Sequence, residues 1–114
     1  MNIKDIYDTV TLSSACTHNA FLTHFDTTIN YLVARYGQKN VFVDDSYQKP
    51  HSIDADVPVF DEYKAALCDN IIYLLSGNAD RKTDFTAEAD YAYKTVYAKR
   101  MKGKRILDGG YFHV

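Results

Sequence analysis

Four histidines, two cysteines and several closely spaced aspartates give this 114-residue chain its candidates for catalysis or metal binding. His18, His24, His51 and His113 are scattered, and none has the i, i+4 spacing with a glutamate that a zinc-protease helix uses. His18 falls in line with an apolar helical stripe, so it reads as a hydrogen-bonded core or helix-end histidine rather than a ligand. Asp44-Asp45 and Asp54-Ala55-Asp56 offer oxygen ligands, but they lack the glycine at the sixth position and the glutamate at the twelfth that an EF-hand loop needs. They read as turn-forming, solvated aspartates. Cys16 and Cys68 have no CxxC partner and read as two reduced, partly buried thiols. No GxSxG, phosphate-loop or dinucleotide-binding glycine pattern occurs. The expectation is a protein that is not an enzyme and uses no metal or cofactor.

Other features are suited to contact rather than reaction. Lys94, Lys99, Arg100, Lys102, Lys104 and Arg105 place six positive charges and no acid in residues 94–105, leaving seven basic and fifteen acidic residues elsewhere. Such a run can complement the dipole of a helix end, contact phosphates non-specifically, or dock on an acidic surface of another subunit. Sequence-reading signatures for nucleic acid are absent. Tyrosine is abundant at ten residues while tryptophan is missing. Tyr31, Tyr73 and Tyr91 each lie off the apolar stripe of their own segment, where they either cover core edges or meet a subunit.

The elements that must position these groups follow from apolar spacing. Phe21, Leu22, Phe25, Ile29, Leu32, Val33 and Tyr36 predict a helix over residues 17–36, with Thr11, Ser13, Ser14 or Thr17 as its cap and Gly37 as its stop. Phe60, Tyr63, Leu67, Ile71 and Leu74 predict a second helix led by Pro58 and closed by Gly77. Phe85, Ala89, Ala92, Tyr93, Val96 and Tyr97 predict a third over residues 84–102, ended by Gly103. Residues 37–57 read as a long irregular loop with one short β-like run at residues 41–43. The tail from 103 reads as extended or turned, and its apolar Tyr111 and Phe112 either fold back or insert into a partner.

The expected fold is therefore all-α: one domain over 1–114, three main helices, an irregular middle loop, and a flexible or partner-docking tail at 103–114. A chain of this length can bury roughly two thirds of its unfolded surface without staples. Hydrophobic residues at 46%, charged residues at 25% and a net charge of −2 suit an ordinary globular protein. The longest apolar run, residues 71–75, is far too short for a membrane span. The N-terminus has no basic stretch followed by an apolar one, which points to a cytoplasmic origin.

One surplus stands out. Ile72 and Tyr73 project opposite to the core stripe of their helix, and the expectation is that a second polypeptide covers them, contributing on the order of 3–5 kcal/mol per contact before ordering is counted. Together, VPVFDEYKAALCDNIIYLLSG, a short polar connector and TDFTAEADYAYKTVYAKRM resemble the helical half of bacteriophage head–tail connector (adaptor) proteins. That resemblance implies a non-enzymatic virion subunit, assembled in the bacterial cytoplasm as a ring beneath the portal of a tailed phage. Its partners would be the portal protein, tail-side connector proteins and further copies of itself, with non-specific DNA contact in the channel. Ile72, Tyr73, Tyr91, Tyr111 and Phe112 are then the candidate interface residues. The alternative is a small helical nucleic-acid-binding or regulatory protein using the basic run.

Overall fold

The computed structural model describes residues 2–43, 50–57 and 59–108, with the backbone alone for 103–108. The fold is all-α. Its helices are α1 (Ile3–Thr11), α2 (His18–Tyr36), the single turn α3 (Gln38–Val41), α4 (Lys64–Ser76), entered through a 3-10 turn at Asp61–Tyr63, and α5 (Ala79–Asp108). The molecule is elongated, 53 × 29 × 21 Å.

Helix α1 is an addition to the sequence-based expectation. The Asn2 side chain accepts the Lys4 N–H at 2.7 Å, an N-cap that satisfies one orphan donor of the first turn. Ile3, Ile6 and Val10 then bury one narrow face completely. Helix α2 starts where Thr17 accepts the Ala20 N–H at 3.2 Å, and it stops at Gly37, whose φ of 86° favours glycine. Its predicted stripe is the buried one, through Phe21, Leu22, Phe25, Ile29 and Leu32.

The middle segment is more ordered than the expected irregular loop. After α3, Phe42 and Val59 form an antiparallel bridge, and the Phe60 N–H reaches Val41 O at 3.1 Å. Residues 50–57 return to the start of α1, where the Ile3 N–H donates to Ala55 O at 3.0 Å and Asn2 bridges to Asp56. Ile53 and Val57 are buried there. Pro58 and Asp44-Asp45 lie outside the described residues. Because Val59 is held in the bridge with Phe42, the second predicted helix begins later than its proline suggested, at the 3-10 turn.

Helix α4 is the centre of the bundle. It packs on α1, α2 and α5, and seven consecutive residues from Ala66 to Ile72 are buried. A helix with apolar residues around its whole circumference needs neighbours on every side, and here one chain supplies them. This corrects the expectation for Ile72. It is only 5% exposed, within the core, on the flank of α4 where Thr9 of α1 and Ser13 just after it line the same cavity. Two buried polar groups meet where α4 packs on α2. Asn70 Nδ2 donates to Thr28 Oγ1 of α2 at 2.8 Å, and that hydroxyl in turn donates to His24 O. Such satisfaction is what makes burying them tolerable.

Gly77 (φ 74°) closes α4, with its N–H on Tyr73 O at 2.7 Å, and lets the chain reverse into α5. Asn78 accepts the Asp80 N–H at 3.0 Å, so α5 starts several residues before the predicted cap. Gly103 does not end it: the helix continues to Asp108, and an isolated glycine in a helix costs only about 1 kcal/mol relative to alanine. Residues 103–108 are therefore helical rather than extended, while 109–114 lie outside the described residues. No described helix is long and apolar enough to cross a membrane.

Candidate interaction surface

The inner face of α5 is the predicted one: Phe85, Ala89, Ala92 and Val96 are buried against the bundle. At 100° per residue, Asp84, Ala87, Tyr91, Lys94, Ala98 and Lys102 fall within a sector of about 80° on the opposite side. All six are exposed. Tyr91 is 74% exposed at the middle of this outer face, with Ala87 and Ala98 one turn or two away along it. Acid lies towards one end, at Asp84, and base towards the other, at Lys94 and Lys102.

The remaining predicted contact residues are divided among several places. Tyr73 is half-buried, with Lys82 Nζ lying 5.5 Å from its ring centroid. Tyr31 is 45% exposed and packs its ring against Phe85, so it covers the edge between α2 and α5. In the basic run, Lys99 bridges to Glu62 at 2.7 Å and Arg100 hydrogen-bonds the Asn40 side chain. Both are thus engaged within the chain, and hydrogen bonding to Lys99 holds the Glu62 carboxyl below the usual range. Lys104 and Arg105 lie on the last turns of α5. Tyr111, Phe112 and His113 lie outside the described residues.

The residues singled out for chemistry are not gathered. His18 is exposed at the first position of α2, its ring edge-on to Tyr7 with centroids 4.9 Å apart, so it is a helix-end and not a core histidine. Asp54 is exposed in a local turn with Ser52. Cys16 and Cys68 are free thiols, and burial pushes Cys68 up to about 11, far from thiolate reactivity at neutral pH. Among the described residues no group of three or more histidine, cysteine, aspartate or glutamate side chains is arranged to hold a metal.

A carboxyl cluster also forms that no residue spacing foretold. Asp69 of α4, only 8% exposed, pairs with Arg81 of α5 at 2.7 Å. Glu88, two turns further along α5, brings its carboxyl against that of Asp69, and its buried Oε1 has no hydrogen-bond donor. Burial first, and then the Asp69 carboxyl, push Glu88 up to about 7. The cluster borders a cavity of about 580 Å³ lined by Thr9, Lys64, Cys68, Asp69, Ile72 and Arg81, among others. A smaller groove of about 360 Å³ shares Glu62 and Ala65 with it and is also lined by Ala87, Glu88 and Tyr91. No family model matches the chain, and neither a curated protein nor a solved structure matches it.

Proposed function

We propose that the chain is a structural assembly subunit, and that the resemblance of residues 57–101 to head–tail connectors makes a virion ring beneath a phage portal its assembly. The observation that supports docking is the outer face of α5. A large aromatic side chain stands about three-quarters in solvent between alanines, on a helix whose two ends differ in charge. Tyrosine combines contact area with a polar tip and loses little conformational freedom on docking. Small neighbours let an opposing backbone approach, and the charge gradient fixes direction more than strength. Ile72 has no part in this surface, since α4 keeps it inside the monomer.

The test is co-expression with a tailed-phage portal protein, followed by co-purification and particle imaging. The expected result is a ring that Tyr91→Asp abolishes while the far-ultraviolet helical spectrum of the free chain stays unchanged. No complex with wild type, or a ring that survives the substitution, overturns the reading. Tight binding to mixed-sequence DNA, lost with a steep salt dependence in a Lys94→Ala, Lys102→Ala double variant, would move the function to nucleic-acid contact instead.

A further inference from the structure

The junction of α4 and α5 near Gly77 contains an arrangement that docking does not explain. Two carboxyl groups meet from neighbouring helices, and the one guanidinium beside them is paired with Asp69. Asp69 has its ion pair with Arg81, but the buried Oε1 of Glu88 has no N–H or O–H pointing at it. Two ionised carboxylates in contact repel, and an unsatisfied buried oxygen is costly. A single proton removes both problems, because a protonated Glu88 can donate to Asp69.

We propose that Asp69 and Glu88 form a proton-binding site that latches α4 to α5, closed when the pair holds one proton and loosened when it holds none. The surroundings favour this occupancy. On α5, Asp84 adds a further negative charge and Arg81 a positive one. On α4, the charged Lys64 and the buried Cys68 thiol lie near the cluster. From the 3-10 turn, Glu62 shares the groove but is engaged by Lys99. Thr9 of α1 and Ser13 just after it, which line the adjoining cavity, carry no charge. Asp69, Glu88 and Asp84 thus outnumber the adjacent cations Arg81 and Lys64, and the upward displacement of Glu88 to about 7 agrees with a proton retained into the neutral range.

The sign follows from linkage. Glu88 is raised above its ordinary 4.5, so the folded chain binds a proton that the unfolded chain has released. Stability therefore falls as pH rises from about 5 to about 8, and it does so through this site. Unlike the docking surface, the latch is a property of the free chain, so its test needs no partner.

The decisive measurement is a carboxyl-carbon NMR titration of the wild-type chain with thermal unfolding followed across the same pH range. The expected results are a Glu88 midpoint near neutrality and a melting temperature that declines over that range. Glu88→Gln, whose amide donates to Asp69 without titrating, should flatten the decline and melt above wild type at the alkaline end. Asp69→Asn should bring the Glu88 midpoint down, a shift that a merely space-filling role would not produce. A Glu88 midpoint in the ordinary carboxylate range overturns the proposal, as do parallel melting profiles for wild type and Glu88→Gln. If the glutamine variant does not fold, the wild-type titration alone decides.

Discussion

At the end where α4 begins and the packed part of α5 finishes, polar groups meet complementary partners. Tyr63 is fully buried and donates its hydroxyl to Asn40 O at 2.7 Å, Lys99 meets Glu62, and Arg100 meets Asn40. At the other end, near Gly77, carboxyl lies against carboxyl and a single arginine mediates. The first end holds its acid below the usual range and the second holds its acid above it. One helix pair thus carries two linkages of opposite sign. Acidification should weaken the Tyr63 end as Glu62 protonates, and alkalinisation should weaken the Gly77 end as Glu88 ionises.

The comparison breaks most visibly at Tyr63. Truncation by Tyr63→Ala should cost about 3–5 kcal/mol in urea unfolding, as for other large buried aromatics, whereas Tyr63→Phe keeps the packing and should cost about 1 kcal/mol for the lost hydrogen bond. If the two substitutions cost the same, the hydroxyl dominates and the packing account fails. Next in size is Ile72→Ala, which should destabilise the isolated monomer by about 2–4 kcal/mol because it leaves a cavity. An unchanged monomer would return that side chain to the surface. The smallest effect sharpens the comparison: Lys99→Ala should cost less than about 1 kcal/mol at neutral pH, because its side chain is 70% exposed. The difference from wild type should shrink below the ordinary 4.5 of Glu62 and vanish once pH has fallen through its lowered folded-state value, since the stability contributed by a depressed carboxylate is lost on protonation.

Much of the fold was legible because α2, α4 and α5 announce themselves through long apolar stripes, and because Thr17, Gly37 and Gly77 sit where caps and stops belong. Helix α1 was missed although Asn2 followed by Ile3, Ile6 and Val10 is a cap and a stripe, since nine residues make a short window that propensity alone would not stabilise. That omission carried the largest consequence. Without α1, the full circumference of apolar residues on α4 demanded a foreign partner; with it, α4 is a central helix whose neighbours are all on the same chain. Tyr91 was legible as an off-stripe residue, and the structure places it on the outside of α5. The carboxyl cluster was not legible, because Asp69 and Glu88 meet only after Gly77 reverses the chain and sets the register between two helices.

The tyrosines of this chain also make it its own optical instrument. Tyr36 and Tyr93 stack with ring centroids 4.8 Å apart and planes 16° from parallel, and Tyr97 follows at 5.9 Å from Tyr93. With no tryptophan in the sequence, absorption near 280 nm belongs to the ten tyrosines, and the close, fixed rings among them couple into a circular-dichroism band that isolated rings lack. That band should report the seating of α5 on α2 without any introduced label, and so follow one helix contact while the rest of the molecule is perturbed.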